Sequence, residues 1–344
     1  MNEPRIGVVG LRRGLHLARH CAAAGLRVTA VCDVDAALAS SAASELGALA
    51  FPDFARMLAG PIDAVILANF FDEHAPLALQ ALAAGKHVLS ETAACTSLAE
   101  GEALVAAVER SGCAYMFAEN YPWKPHAFEI ARRFAAGEIG AFEYAECEYY
   151  HAFAPDAFAR FAPDPTHWRS RIASTHYCTH SIAPVMAITG RSPVAVSAFE
   201  LGASEPGRGH AVVEMIRFDD GTGMKSLHGF LQGEPAFQWS FLRVHGSRGL
   251  LENARVGDGR RVRLRREAWA SGTGSAEDAL FDPPDVPDDL RMLRAFADAV
   301  TGAAPTSLDV RFGVACSLVG VYALESLRRG SAEVGLPNFP ARTR

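Results

Sequence analysis

The first 120 residues alternate short apolar runs with alanine-rich stretches in which apolar residues recur at helical spacing. The apolar runs are RIGVVG, LRVTAVCD, DAVILAN, KHVLSE and CAYMFAEN. They are brief and rich in Val, Ile, Leu and Phe, which is typical of parallel strands buried on both faces. Strands that alternate with helices form doubly wound sheets. The sequence therefore predicts an α/β domain with a doubly wound parallel sheet over residues 1–121.

The sequence changes character after residue 121. The stretch AFEIARRFAAGEIG has the pattern of one amphipathic helix, and longer alternating runs joined by turns such as Asp220-Gly221 follow it. Such alternation is typical of antiparallel strands with one buried face. Residues 122–344 are therefore predicted to form an α+β domain with a mostly antiparallel sheet that has one amphipathic face.

Two helices are predicted near the carboxyl end, at Asp288–Thr301 and Val310–Arg329. The second of them is expected to pack back near the first domain. The segment Ala270–Pro287 is rich in Gly, Pro and Asp, which predicts a surface loop.

Composition excludes several classes of protein. The chain has 49% hydrophobic residues and a net charge of -6, so it can bury large cores and is a poor partner for a nucleic-acid backbone. None of its seven cysteines forms a CxxC pair, which favours reduced thiols and a cytoplasmic location. The amino terminus lacks the pattern of a signal peptide, and no run of about 18 apolar residues predicts a membrane span.

The end of the first predicted strand carries a glycine-rich turn. Gly10 and Gly14 stand where the strand RIGVV turns into a helix, as a dinucleotide pyrophosphate requires, although Arg12 occupies the place of a usual glycine. Asp33 ends the second strand, and a carboxylate at this spacing bonds a ribose diol and favours NAD over NADP. Arg12 and Arg13 could instead bind the pyrophosphate or a 2′-phosphate.

Five blocks in order carry a family likeness. They are RIGVVGLRRG, VTAVCDVD, DAVILANFFDEHAPLALQALAAGKHVLSE, AENYPWKPHAFEIARRFAAGEIG and THYCTHSIAPVMAITG. Over nearly the whole chain the sequence resembles the glucose-fructose oxidoreductase, inositol dehydrogenase and rhizopine catabolism (Gfo/Idh/MocA) family. The resemblance implies a Rossmann domain followed by a substrate-binding and oligomerisation domain with a large open mixed sheet. It also implies an activity on a hydroxyl of a sugar or cyclitol.

The chain departs from the family at the residues that do chemistry. Where the family has GKHVLCEKP with a lysine beside the nicotinamide, this chain has GKHVLSETA, with Glu91 retained and Thr92 in place of the lysine. His180 stands at the family's acid or base histidine. His176 and Ala183 replace the two aspartates that flank it.

These comparisons and the strand ends give the candidate site. The predicted catalytic residues are His180, His176 and Thr92. The predicted cofactor-binding residues are Gly10, Arg12, Arg13, Gly14, Asp33, Asn69, His74, Glu91 and Asn120. The predicted substrate-binding residues are Trp123, Lys124, Glu148, His151, Trp168, Arg169 and Tyr177. Lys124 is also a candidate to replace the missing lysine.

A divalent metal is an alternative source of the missing positive charge. His176 and His180 are four residues apart, so on one helix they would share a face. A carboxylate such as Glu148 and a further imidazole from His151 could complete the site, and the metal would act as a Lewis acid. A metal-free, hydrogen-bonded site is the second interpretation, and a solvated or core role for these residues is the third.

Three functions remain open from the sequence. The first is an NAD-dependent sugar or cyclitol dehydrogenase, and the second is a redox-neutral lyase or glycosidase that oxidises, eliminates and then reduces. The third is a sensor that binds nucleotide and sugar without turnover. The predicted partners are a small carbohydrate and further copies of the chain in a homodimer or homotetramer, with no nucleic acid and no membrane.

Overall fold

The computed structural model describes residues 3–151, 167–203, 205–230, 240–254 and 259–339. Within it the chain divides into two compact units. Among the described residues, the first unit comprises residues 3–118 and 287–318, and the second comprises those within 119–286 and 319–339. The predicted functional division at residue 121 stays a prediction.

Fifteen strands occur among the described residues. They are β1 (Arg5–Val9), β2 (Arg27–Cys32), β3 (Leu49–Phe51), β4 (Ala64–Leu67), β5 (His87–Ser90), β6 (Tyr115–Phe117), β7 (Phe142–His151), β8 (Pro193–Leu201), β9 (Ala211–Phe218), β10 (Gly223–Phe230), β11 (Ser240–Gly246), β12 (Gly249–Asn253), β13 (Val262–Arg266), β14 (Glu277–Phe281) and β15 (Val334–Gly335).

Ten α-helices accompany them in the same part of the chain. They are α1 (Arg13–Cys21), α2 (Ala36–Leu46), α3 (Phe54–Leu58), α4 (His74–Ala83), α5 (Leu98–Ser111), α6 (Pro125–Ala135), α7 (Trp168–Arg171), α8 (Thr179–Thr189), α9 (Asp288–Thr301) and α10 (Val310–Arg328). The last two agree with the helices predicted from the sequence.

The first unit contains a six-stranded parallel sheet in the order β3-β2-β1-β4-β5-β6. All four residues of β4 are buried, as expected of a strand covered on both faces. Each of the five predicted apolar runs contains one strand. The strand β3 was not predicted, because its three residues, two of them exposed, form neither an apolar run nor a clear alternation. The doubly wound fold is confirmed.

The second unit contains a nine-stranded sheet in the order β14-β13-β12-β11-β7-β10-β9-β8-β15. Only the central pair β7 and β10 is parallel, and every other neighbouring pair is antiparallel. This confirms the prediction of an open mixed sheet.

The prediction of a loop over Ala270–Pro287 was wrong in part, because β14 lies within this segment and forms the edge of the sheet. The charged residues of β14 gave no strand pattern in the sequence. In the structure they form ion pairs with the arginines of the neighbouring strand β13. Arg263 donates to Asp278 at 2.6 Å, and Arg266 also bonds Glu277. Opposite charges on neighbouring strands stabilise the pairing where apolar residues are few.

The two faces of the large sheet differ. Helices α6 and α8 cover one face, on which side chains such as Ile216 are buried. Alternate residues point to the other face. There Phe199 is 55% exposed, and Leu201 and Met215 are each 48% exposed. The second unit therefore has one packed face and one partly apolar face open to solvent.

Helix α10 is long and apolar enough to cross a membrane by length and composition alone. Within the structure, however, 61% of its most apolar window is buried. This burial is the pattern of a helix that packs in a protein core.

Candidate active site

The glycine-rich turn lies directly after β1. Gly10 has φ +79, and a Cβ at this position would come within 2.4 Å of the carbonyl oxygen of Ala68. Only glycine fits such a position without strain. The amide of Gly14 then donates to the carbonyl of Gly10 at 3.0 Å, in the turn that begins α1. The turn leaves bare backbone at a helix amino terminus, which is where a dinucleotide pyrophosphate binds.

Asp33 follows β2 and bonds to the same turn. Its Oδ2 accepts from the amide of Leu11 at 2.6 Å, and its Oδ1 accepts from the amide of Asp35 at 2.9 Å. The carboxylate of Asp33 and the glycine turn are therefore one hydrogen-bonded unit, and the binding of a ribose diol by Asp33 stays a prediction.

The two arginines of the turn differ sharply. Arg12 is exposed. Arg13 instead donates to Glu91 at 2.8 Å and to both carboxylate oxygens of Asp289. Burial opposes the charge of the Arg13 guanidinium, but the two carboxylates overcome this effect and raise its pKa well above the usual range. Arg13 is thus bonded to carboxylates of the protein, whereas no side-chain hydrogen bond or ion pair of Arg12 occurs among the described residues.

Two polar side chains follow β4, Asn69 just after the strand and His74 at the start of α4. Asn69 has a buried Oδ1 without a hydrogen-bond partner among the described residues, and such a group calls for a ligand or water. Burial lowers the pKa of His74 to about 4, so the ring is neutral at pH 7. Its Nδ1 lies 3.1 Å from the carbonyl of Ala93 and donates to it. Thr92 precedes Ala93, and the peptide bond between them is cis.

These features of the first unit fit a dinucleotide. Gly10, Gly14 and Asp33 would hold the pyrophosphate and the adenosine ribose, and Asn69 would offer its unpaired oxygen. The residues present therefore match the cofactor that the sequence predicts.

The second unit contains a carboxylate–imidazole pair that the sequence analysis missed. His180 lies in the first turn of α8, and its Nδ1 is 2.8 Å from Oε1 and 3.0 Å from Oε2 of Glu119. Glu119 is completely buried. Because a carboxylate accepts, Nδ1 carries the hydrogen, and Nε2 of a neutral ring keeps its lone pair. His180 is thus oriented as a proton acceptor. Glu119 lies two residues after the end of β6, so an ionisable residue near a strand end was the available signal.

Two tyrosine rings flank the imidazole of His180. The ring centroids of Tyr149 and Tyr121 lie 4.5 and 4.8 Å from it. The hydroxyl of Tyr149 is hydrogen-bonded to Nε2 of His151. Burial raises the pKa of Tyr149 well above its ordinary value, so this phenol stays protonated and donates.

The remaining predicted substrate residues surround this cluster in part. Burial lowers the pKa of His151 to about 4, with smaller contributions from His180 and Arg169. Arg169 stacks on Trp168, with its guanidinium carbon 4.2 Å from the ring centroid. The Nζ of Lys124 lies 5.3 Å from the ring centroid of Tyr121. Aromatic faces and polar tips together suit a polyhydroxylated ligand.

Three further predicted residues lie on nearby segments of the second unit. Tyr177 packs edge-on against Phe230, with ring centroids 5.6 Å apart. Asn120 and Trp123 stand at the beginning and end of a 3₁₀ turn, where the amide of Trp123 donates to the carbonyl of Asn120 at 3.0 Å.

The predicted metal set does not assemble. Glu148 bonds the hydroxyl of Tyr150 at 2.8 Å, and strand alternation in β7 places it on the opposite face from His151. His176 lies in a 3₁₀ turn before α8 rather than on the helix of His180. Within the described ranges, no three His, Cys, Asp or Glu side chains are grouped to hold a metal ion.

A family model matches the first part of the chain. Residues 4–119 match the Gfo/Idh/MocA model, described as an oxidoreductase family with an NAD-binding Rossmann fold.

Curated relatives match more of the chain than the family model does. A glycosyl hydrolase family 109 protein of Saccharopolyspora erythraea is 24% identical over 97% of this chain and 83% of its own length. A protein of the same name from Streptomyces niveus is 29% identical over 53% of this chain and 40% of its own length. The chain thus spans less than half of the second relative.

Solved structures share the complete fold. UDP-N-acetylglucosamine 3-dehydrogenase from Acidithiobacillus ferrooxidans superposes with a TM-score of 0.78 at 21% identity, covering 95% of this chain and 98% of that one. Levoglucosan dehydrogenase in complex with NADH and levoglucosan gives a TM-score of 0.81 at 18% identity, covering 97% and 99%. At such identities the likeness concerns the fold.

Proposed function

Because residues 4–119 match the model of the Gfo/Idh/MocA oxidoreductase family with its NAD-binding Rossmann fold, we propose that this chain belongs to that family and is an NAD-dependent oxidoreductase. Its substrate is a hydroxyl of a sugar, cyclitol or glycoside. The observation that carries the proposal is the pairing of His180 with the buried carboxylate of Glu119 among tyrosine rings. The solved relatives that bind or act on carbohydrates support the choice of substrate.

The proposed chemistry needs a group that takes the hydroxyl proton. Bound NAD supplies the hydride acceptor for the carbon. His180 then accepts the proton at Nε2, while Glu119 holds the ring and stabilises the imidazolium that forms. Thr92 stands in the place of the family's lysine and offers one neutral hydrogen bond. His180 and Glu119 therefore carry the charge change that a lysine would otherwise help to stabilise.

The proposed cofactor is NAD rather than NADP. The carboxylate of Asp33 is fixed beside the glycine turn, where it would accept from a ribose diol and repel a 2′-phosphate. Of the two arginines in the turn, only the exposed Arg12 is left to oppose this preference, because Arg13 bonds Glu91 and Asp289.

The test is an assay of NADH absorbance with the full chain, NAD and a panel of sugars, cyclitols and glycosides. We expect NADH to form in proportion to oxidised product with at least one of them. NAD binding without turnover of any sugar would contradict the proposal and leave the sensor as the better interpretation.

A redox-neutral lyase or glycosidase is the second candidate. It is favoured by the Saccharopolyspora relative, which is named a glycosyl hydrolase and matches 97% of this chain. The hydrogen-bonded pair of Tyr149 and His151 offers a second proton-transfer group beside His180. Release of sugar from a glycoside without net NADH would identify this activity.

We further propose that the chain forms a homodimer or homotetramer through the open face of its large sheet. Phe199, Leu201 and Met215 are exposed there, and an apolar patch on a sheet face is typical of an interface. Replacing Met215 and Phe199 by lysine should lower the mass found by light scattering. Leu49→Lys, at an exposed position of the first unit, is the control. A monomeric mass for the unaltered chain would contradict the proposal.

The cytoplasmic location also remains a proposal. All seven cysteines are free, and six of them are buried. Disulfides are common in exported proteins and rare in the reducing cytoplasm.

A further inference from the structure

The guanidinium of Arg13 joins three segments of the first unit that are far apart in sequence. Its Nε donates to Oε1 of Glu91 at 2.8 Å. Its Nη1 and Nη2 donate to the two carboxylate oxygens of Asp289 at 2.7 and 2.6 Å. Arg13 begins α1, Glu91 directly follows β5, and Asp289 lies in the first turn of α9. All three guanidinium nitrogens therefore donate to carboxylates of this chain.

This arrangement conflicts with a phosphate contact by Arg13. Bidentate hydrogen bonds between a guanidinium and a carboxylate are among the stronger hydrogen bonds in proteins. A phosphate would have to displace Asp289 from such a bond. The cluster also contains two carboxylates for one cation, so its formal charge is -1 and it repels an anion.

The bonds continue from Arg13 to the segment that replaces the family's lysine. The second oxygen of Glu91 accepts from the amide of Thr92 at 3.4 Å. From the other side, His74 donates to the carbonyl of Ala93. The segment 91–93 is therefore held at both ends, by Arg13 through Glu91 and by His74 directly.

We propose that Arg13 is a positioning residue for the nicotinamide half of the dinucleotide. It fixes the segment 91–93 relative to the turn at Gly10 and does not touch a phosphate. In a doubly wound sheet the adenosine half binds beside β1 and β2, and the other half binds beyond the reversal of strand order, beside β4 and β5. The inference rests on the proposed function, which supplies the dinucleotide.

The test titrates the full chain calorimetrically with NAD and, separately, with ADP-ribose, which lacks the nicotinamide. The variants are Arg13→Gln, Asp289→Asn and the double variant. Each single variant should weaken NAD binding about tenfold, the scale of one lost charge-assisted hydrogen bond, and leave ADP-ribose binding within about twofold. The double variant should bind NAD no more weakly than the weaker single variant, because both changes remove the same contact.

The matched control is Arg5→Gln. Arg5 also makes a two-pronged ion pair, with Asp63, but it does so at the start of β1 rather than after its end. We expect the control to bind both ligands like the unaltered chain. Asp289→Asn keeps the shape of the side chain, so it carries the test should Arg13→Gln not fold.

Three results would overturn the inference. Loss of NAD and ADP-ribose binding in Arg13→Gln, with no loss in Asp289→Asn, would show that Arg13 contacts a phosphate. Equal weakening of both ligands in both variants would show a general structural role. If the unaltered chain bound neither ligand, the proposed function would fail and this inference with it, whereas the first two results leave the proposed function intact.

Discussion

The two units present their candidate functional groups in different ways. In the first unit the groups are backbone at Gly10 and polar residues just beyond strand ends, such as Asp33 and Asn69. In the second unit they are buried side chains, such as Glu119 and Tyr149, packed around His180. The first unit would thus bind the dinucleotide through its backbone and through residues at strand ends, whereas the second would transfer protons through its side chains. Substitutions should therefore act differently in the two units.

The largest effect is expected at His180. His180→Ala removes the proposed proton acceptor and should lower kcat about 10²- to 10⁴-fold, while NAD binding by the first unit is unchanged. Steady-state kinetics with calorimetric NAD titration measure both. His210→Ala, at an exposed histidine of the second unit, is the control. A His180→Ala enzyme with full activity would remove the contrast between the units.

Glu119→Gln should have the next largest effect. The amide keeps the shape but loses the charge that stabilises the imidazolium, so kcat should fall about 10- to 100-fold with little change in KM. A change in KM alone would indicate that Glu119 binds substrate rather than orienting His180. The double variant with His180→Ala should be no worse than His180→Ala alone, because the carboxylate acts through the imidazole.

Gly10→Ala tests the backbone side of the comparison. The added Cβ meets the carbonyl of Ala68 at 2.4 Å and takes a positive φ, so we expect a loss of about 3 kcal/mol in the free energy of unfolding, and loss of NAD binding. Gly25→Ala is the matched control, because its φ is +77 but its Cβ would meet nothing within 4 Å. It should cost about 1 kcal/mol. Equal losses in urea unfolding would contradict the close approach.

A smaller effect is expected from low pH, which should destabilise the second unit more than the first. In the second unit burial lowers the pKa of His151 and His176 to about 4 and that of His228 to about 3, and it also lowers the pKa of His245. In the first unit burial lowers the pKa of His74 to about 4 and also lowers that of His87. A histidine with a lowered folded pKa takes up its proton on unfolding between its unfolded value, about 6.5, and its folded value. Stability is therefore full above pH 6.5 and falls as the pH drops to 4, by up to about 1.4 kcal/mol per pH unit for each histidine.

One buried acid acts in the opposite direction. Burial raises the pKa of Glu214 to about 8, so the folded second unit keeps that proton, whereas the unfolded chain releases it above its ordinary pKa. Between these two pKa values the contribution of Glu214 to stability rises as the pH falls, which offsets the loss from about one histidine. The second unit should still lose more protection than the first between pH 6.5 and 5. Hydrogen exchange followed by peptide mass measures both, and equal losses would contradict the prediction.

The sequence predicted the first unit better than the second. Strand ends are fixed by topology, so Asp33 could be placed beside the glycine turn from spacing alone. The spacing of residues could not show hydrogen-bond partners that are distant in sequence and meet only in the folded chain. The sequence predicts that Arg13 binds the cofactor, and it could not show that the guanidinium donates to Asp289, 276 residues later in the chain. Glu119 was missed because its partner is 61 residues away on a helix. Glu148 was assigned to a cluster that strand alternation divides between two faces.

The parallel pairing of β7 with β10 has a consequence for synthesis of the chain on the ribosome. Tyr144 of β7 pairs with Gly223 of β10, and Tyr149 pairs with Ser240 of β11. Because synthesis adds about 5–20 residues per second, about 4 to 16 seconds pass after β7 leaves the exit tunnel before either neighbouring strand follows. During that interval its backbone donors and acceptors have no ladder, so this central strand is the segment where we expect chaperones to bind the newborn chain.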